Sequence, residues 1–186
     1  MDFFDDPNNV DKYLTIADGY DGAALIAVMA GLVSPGGRVL ELGMGPGKDL
    51  ALLTQAGFDV VGSDRSAEFL ARYDGPLPTL QLDAVTLETD ETFDIIYSNK
   101  VLHHLTAPDF ATSLERQVAC LRPGGVLFHS LWLGDGEADF GGVHCTYHTE
   151  DRVRAVLPEG FTLAASGRYE EMAPEDSFWV LLQRQG

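Results

Sequence analysis
The chain has 186 residues, of which 45% are hydrophobic and 22% charged, and a formal net charge of −17. That length supports one domain with a full core, held without disulfides or metals. A surface this acidic repels phosphate backbones and anionic lipid, and the twelve basic residues are scattered, which disfavours nucleic acid and membranes as partners.

No apolar run approaches the roughly 18 residues of a membrane-spanning helix. The start Met1-Asp-Phe-Phe-Asp-Asp6 lacks the basic opening of a secretion signal, so a cytoplasmic location is expected. Cys120, in an apolar helical run, reads as a buried thiol rather than half of a disulfide with Cys145.

Residues 1–9 read as a loose polar tail. From Val10 to Gly31 apolar residues recur at helical spacing, among them Leu14, Ala17, Ala24, Leu25 and Val28. Asp18-Gly-Tyr-Asp-Gly22 interrupts them, which predicts two helices joined at the glycines. Tyr13 and Tyr20 are either packing residues or covers for a ligand. Val39, Leu40 and Leu42 predict a short strand buried on both faces, which breaks into Gly43-Met-Gly-Pro-Gly47 before a helix resumes over Lys48–Ala56. Glycines at alternate positions let the backbone turn sharply and bring its N–H groups against a ligand. The helix start adds unpaired N–H groups and the positive end of its dipole. A dinucleotide fingerprint needs glycine at position 48, where lysine stands. The pattern present is G-x-G-x-G, with a carboxylate, Glu41, two residues ahead.

Phe58–Asp64 is a second strand ending in an acid, followed by a helical stretch over Ser66–Tyr73. A proline-led strand, Pro76–Asp83, also ends in an acid. Phe93–Ser98 is a fourth strand, Asp109–Leu121 a helix, Arg122–Gly125 a turn and Val126–Ser130 a fifth strand. This alternation predicts a parallel sheet with helices on both faces. After the glycine- and acid-rich loop Gly134–Gly142, a helix at Thr149–Val156 precedes strands Phe161–Glu170 and Ser177–Gln183. The residues between, Glu171–Asp176, are too few for a crossover helix, so the last pair is an antiparallel hairpin. The expected fold class is α/β: a Rossmann-like doubly wound sheet of seven strands, mostly parallel, in a single domain over residues 1–186.

Four segments in this order resemble the class I S-adenosylmethionine-dependent methyltransferases, in the compact form that acts mostly on small molecules. They are Val-Leu-Glu-Leu-Gly-Met-Gly-Pro-Gly47, the acid Asp64, Phe-Asp-Ile-Ile-Tyr-Ser-Asn-Lys-Val-Leu-His-His-Leu105, and Leu-Arg-Pro-Gly-Gly-Val-Leu-Phe128. The resemblance covers residues 10–184 and implies S-adenosylmethionine as cofactor, S-adenosylhomocysteine as product, and a small-molecule acceptor methylated by in-line displacement. It also implies a monomer or homodimer. Gly43, Met44, Gly45 and the backbone of Gly47 are then expected to line the methionine half of the cofactor, with Glu41 near its ammonium group. Asp64 would accept from both ribose hydroxyls. Arg65 would flank the adenine, and Asp83 with the backbone of Ala84 would meet its exocyclic amine. Ser98, Asn99 and Lys100 would face the transferred methyl.

A base helps methyl transfer only where the nucleophile arrives protonated. The candidates are His103, His104 and His129. Adjacent side chains point different ways, so at most one of His103 and His104 is expected at the methyl. His129 and Trp132 end the fifth strand, where the family builds substrate pockets. His144, Tyr147 and His148 suggest a lid, and Glu170-Glu171-Met172 of the hairpin can reach the pocket. His144, Cys145 and His148 carry no metal-binding spacing, so no metal is expected. A second reading is a non-catalytic regulator that binds S-adenosylmethionine or S-adenosylhomocysteine. The two readings differ in whether a pocket opens onto the methyl.

Overall fold
Helical and extended segments alternate along the chain in the computed structural model, which describes residues 3–16 and 19–185. The expectations placed on Met1, Asp2, Ala17 and Asp18 lie outside the described residues. The central strand β1 (Arg38–Leu42) lies between β2 (Asp59–Asp64) and β4 (Phe93–Asn99). Edge strand β3 (Thr79–Gln81) pairs with β2, and β5 (Leu121–Trp132) with β4. These five strands are parallel. β9 (Ser177–Arg184) then runs antiparallel between β5 and β8 (Phe161–Tyr169). The predicted terminal hairpin is therefore present, with its second strand wedged into the sheet. A separate antiparallel ribbon joins β6 (Glu137–Asp139) to β7 (His144–Thr146).

Helices α2 (Ala23–Leu32) and α3 (Lys48–Gln55) cover one face, through Leu25, Ile26, Met29, Leu50 and Leu53. Helices α5 (Ala107–Ala119) and α6 (Glu150–Ala155) cover the other, through Phe110, Leu114 and Val153. Strand side chains alternate between these faces. Val39, Ile95, Tyr97, Phe128 and Leu181 meet α2 and α3. Leu40, Leu42, Ile96, Leu127, Leu131, Phe178, Val180 and Leu182 pack on the opposite side. This parity decides which polar residues at the strand ends reach the site.

Four expectations change in detail. The N-terminal segment is structured: Phe3–Asp5 forms a 3₁₀ turn and α1 begins at Pro7, running to Ile16. Aromatic packing ties it down, with the Phe4 ring 5.5 Å from Tyr13 and 6.0 Å from Phe69 (in α4, Ala67–Arg72). The Ser66 hydroxyl also donates to the Phe4 carbonyl at 2.6 Å. β3 is shorter than predicted because Pro76 and Pro78 bring no N–H to the ladder. The expected turn at Arg122–Gly125 sits within β5 as a bulge, where the register jumps between Phe93–Leu121 and Ile95–Val126 and Gly124 has φ +81°. Within and just beyond the glycine-rich loop lies the small β6–β7 ribbon.

β9 joins the hairpin to the parallel strands and buries Phe178 completely. Phe178→Ala is expected to cost about 3–5 kcal/mol, read as a lowered urea midpoint at unchanged slope.

Candidate functional site
The carboxyl ends of β1, β2 and β4 open onto two neighbouring cavities, of about 370 Å³ and about 900 Å³. Both are lined by Tyr13, Gly43, Gly45, Asn99, Lys100 and His104, so they form one groove with two halves.

The smaller half begins at the glycine turn. Gly43, Gly45 and Gly47 all have positive φ, at +64°, +50° and +79°, a conformation L side chains rarely adopt. A Cβ on Gly43 would stand 2.6 Å from a Val101 methyl, whereas one on Gly45 would meet nothing within 4 Å. The loop's open side is therefore free for a ligand. Asp64, at the end of β2, accepts from Gly45 N–H at 3.0 Å through one oxygen and from Ser66 N–H at 2.9 Å through the other. Each oxygen keeps a lone pair for a hydroxyl. Burial raises the Asp64 carboxyl above its ordinary range, against the pull of these N–H groups. Arg65, Asp83 and Ala84 complete this half. The Asp83 carboxylate also accepts from Val85 N–H at 2.7 Å, closing its own turn.

Glu41 shares the strand face of Val39 and so points toward α3. It is 3% exposed, and its Oε2 has no hydrogen-bond partner among the described residues. Burial, then the negative charges of Asp49 and Asp64, raises its pKa well above 4.5. A buried carboxyl without a partner costs free energy until a donor arrives. Asp49, in the first turn of α3, has both oxygens engaged. It accepts from Gly22 N–H at 2.7 Å, Tyr97 hydroxyl at 2.8 Å and Asn99 Nδ2 at 3.1 Å. The residues present fit S-adenosylmethionine: an unpaired acid for its ammonium, an open glycine turn, a two-oxygen acceptor for a diol, and three carboxylates around a cation.

The larger half is walled by aromatic rings, including Tyr20, Trp132, Phe140 and Tyr147, with Glu171 and Met172 of the β8–β9 loop at its rim. His103 and His104 both reach it, with ring centres 4.0 Å apart. Both can line one cavity because the 3₁₀ turn Leu102–His104 does not alternate its side chains as a strand does. The His104 Nδ1 lies 2.8 Å from the His144 carbonyl, so Nδ1 carries the hydrogen and Nε2 is the acceptor. Burial lowers both histidine pKa values.

Three predicted site residues lie elsewhere. Gly47 lines neither cavity; it caps α3, where a Cβ would stand 2.7 Å from the Tyr73 ring. Ser98 and His129 are register partners on β4 and β5. Their side chains meet at 2.8 Å, wholly buried, on the face away from Asn99, Ser130 and Trp132. His129 is therefore a core residue whose pKa burial lowers to about 3. Of the lid and hairpin expectations, His144, Tyr147, Glu171 and Met172 line the groove, while His148 and Glu170 do not.

A family model described as a methyltransferase domain matches residues 17–165. The chain belongs to that methyltransferase-domain family. Trans-aconitate 2-methyltransferase from Azoarcus sp. (strain BH72) is 36% identical over 121 residues, 62% of this chain and 47% of that one. An uncharacterised methyltransferase from Synechocystis sp. is 33% identical over 98 residues, 50% of this chain and 46% of that one. The chain thus spans about half the length of these relatives. Among solved structures, magnesium protoporphyrin IX methyltransferase from Synechocystis with bound S-adenosylhomocysteine aligns at TM-score 0.77 and 18% identity, covering 98% of this chain and 96% of that one. The Burkholderia thailandensis 1,6-didemethyltoxoflavin-N1-methyltransferase aligns at TM-score 0.76 and 23% identity, over 94% and 82%. At these identities the likeness is one of fold, and the fold is that of the class I S-adenosylmethionine-dependent methyltransferases.

Besides Phe140 and Asp176, which also line the groove, sequence reasoning missed Asp49. Its one signal is an acid in the first turn of the helix after the glycine loop. Among the described residues, no group of three metal-ligating side chains comes together, and no helix is long and apolar enough to cross a membrane.

The buried histidines make the methyltransferase domain acid-sensitive. In the fold His129 and His148 are held near 3 and 4, while in the unfolded chain histidine titrates near 6.5. Below that pH the unfolded chain binds protons that the folded one refuses, so stability falls as pH drops. The loss by pH 5 is expected at about 2 kcal/mol per ring. Urea midpoints at pH 7 and pH 5 check it, and His129→Gln should show the smaller fall relative to its own pH 7 value.

Proposed function
We propose that the chain is an S-adenosylmethionine-dependent methyltransferase that alkylates a small-molecule acceptor by in-line displacement. The observation that carries this reading is the two-part groove: an acid-lined nucleoside half, joined at Asn99 and Lys100 to a larger aromatic-walled half. The larger half takes the ammonium at Glu41 and then extends past it to Trp132, Phe140 and Met172, space that a regulator only holding the cofactor would not need.

When bound, S-adenosylmethionine supplies a methyl group on a positively charged sulfur. The chain's part is to hold that group in line with a nucleophile, which is worth up to ~7–11 kcal/mol of the barrier. Glu41 receives the ammonium group, and Asp64 the ribose hydroxyls. Asp83 and the backbone of Ala84 receive the adenine amine, with Arg65 beside the ring. Asn99, braced against Asp49 and accepting from the Ser130 hydroxyl at 2.8 Å, fixes the wall between the halves. Trp132 and the rim aromatics exclude water from the acceptor.

Binding the ammonium group favours ionised Glu41. At pH values between the ordinary carboxyl range and its raised midpoint, binding should therefore release protons. Calorimetry of S-adenosylhomocysteine in buffers of different ionisation enthalpy measures this, and Glu41→Gln should release fewer. Absence of any S-adenosylhomocysteine binding would refute the reading.

Asp64→Asn removes a charge-assisted acceptor and should weaken binding roughly 10- to 100-fold in the same titration. Release of S-adenosylhomocysteine against a panel of small metabolites then identifies the acceptor.

A further inference from the structure
Lys100 stands where the two halves of the groove meet, and its surroundings go beyond positioning. Its Nζ donates to the Ser177 hydroxyl at 2.6 Å, and that hydroxyl donates to Asp176 Oδ1 at 2.8 Å. The same ammonium group lies 3.4 Å above the centre of the Trp132 ring and 5.4 Å from that of Tyr169. Asp176 is partly exposed and borders the larger cavity. A half-buried amine thus leans through one hydroxyl on a carboxylate that reaches solvent.

We propose that Lys100 is the base for the acceptor, taking the proton from an O–H, N–H or S–H nucleophile and holding it as an ammonium group over Trp132 and against Ser177. The proposal rests on the methyltransferase reading and adds a substrate class: acceptors whose nucleophilic atom arrives protonated. The nucleophile's lone pair forms the bond to the methyl carbon, and the carbon–sulfur pair stays with sulfur. The nucleophile's proton passes to the Nζ lone pair. One positive charge vanishes at sulfur as one appears at nitrogen, so the charge of the site is conserved. The ammonium group then gives its proton to water, while Asp176, which accepts from the Glu171, Met172 and Ala173 N–H groups as well as Ser177 and is held below its ordinary carboxyl range, stays ionised and favours the charge on Lys100.

The groups facing Lys100 suit this role. Glu171 and Asp176 from the β8–β9 loop and Cys145 from β7 favour its charged form, yet burial outweighs them and lowers its pKa to about 7. Such a value suits proton uptake near neutral pH. Trp132 and Glu171 stabilise the ammonium once it forms. Tyr169, from β8, adds a second ring. His103 and His104, on the turn beyond, are pushed below 6.5 by burial and are weaker bases than the amine beside them.

The chain has three lysines, Lys12, Lys48 and Lys100, so ¹³C-lysine labelling gives three side-chain signals. In the full chain saturated with S-adenosylhomocysteine, the signal absent from Lys100→Arg should titrate with a midpoint between about 6 and 8. A midpoint above about 9 overturns the proposal. If the arginine variant does not fold, Lys12→Arg and Lys48→Arg assign the third signal by elimination. With the acceptor found by the metabolite panel, Lys100→Arg keeps a cation but loses the base. Its turnover at pH 7 should fall about 100-fold or more, with S-adenosylhomocysteine affinity within about twofold of the parent and the acidic limb of wild-type turnover matching the lysine midpoint. Unchanged turnover in Lys100→Arg would make the residue a charge anchor and overturn the proposal. Binding of S-adenosylhomocysteine with an ordinary lysine midpoint sinks the base alone; no binding at all sinks the reading beneath it.

Discussion

The Asp49 carboxylate holds the site in register. It accepts three hydrogen bonds, from the backbone that opens α2, from Tyr97 inside β4 and from Asn99 at that strand's end. Three elements distant in sequence are thereby fixed around one buried charge. A carboxylate with several donors is stable in a low-dielectric interior; the neighbouring Glu41, with one oxygen unmatched, is not. The difference between these two acids, on the same face of the sheet, is what turns a buried cluster into a receptor. The satisfied one is scaffold. The unsatisfied one awaits a cation.

The rest of the groove follows from strand parity. Glu41, Tyr97, Asn99, Ser130, Trp132, Tyr169 and Ser177 lie on the α2–α3 face or at its open end, while Ser98 and His129 fall on the other. Because β9 enters antiparallel between β5 and β8, it carries Ser177 to within reach of the β4 end. A fully parallel sheet would place the start of that strand at the far edge of the molecule.

Much of this was legible in the sequence. The glycine turn, the acids ending β1 and β2 and the terminal hairpin announce themselves through local spacing, and the resemblance they carry supplied the fold. His129 was misplaced for a reason the sequence already held: it lies three residues from Trp132, and an odd separation on one strand puts two side chains on opposite faces. Asp49 was invisible because its partners at Gly22, Tyr97 and Asn99 become neighbours only through tertiary packing. The N-terminal segment was misread because its polar residues outweighed Phe3 and Phe4, of which Phe4 packs its ring on Phe3, Tyr13 of α1, Phe69 of α4 and His104.

Lys100 shows how the two halves of the groove are kept distinct. It is a non-glycine residue with φ +56°, a backbone state that costs roughly 1–2 kcal/mol. Its own N–H donating to the Ser130 hydroxyl at 3.0 Å helps to hold it there. In an extended strand Asn99 and Lys100 would simply point to opposite faces of the sheet. The left-handed turn instead lets both side chains stay on the site side, Asn99 toward Asp49 and Lys100 toward Ser177. Ser130 is shared by the two, donating to Asn99 Oδ1 and accepting from the Lys100 backbone. The strain therefore sits on a wall that the two chambers share, and a backbone held out of its preferred basin at such a point has a functional reason to persist.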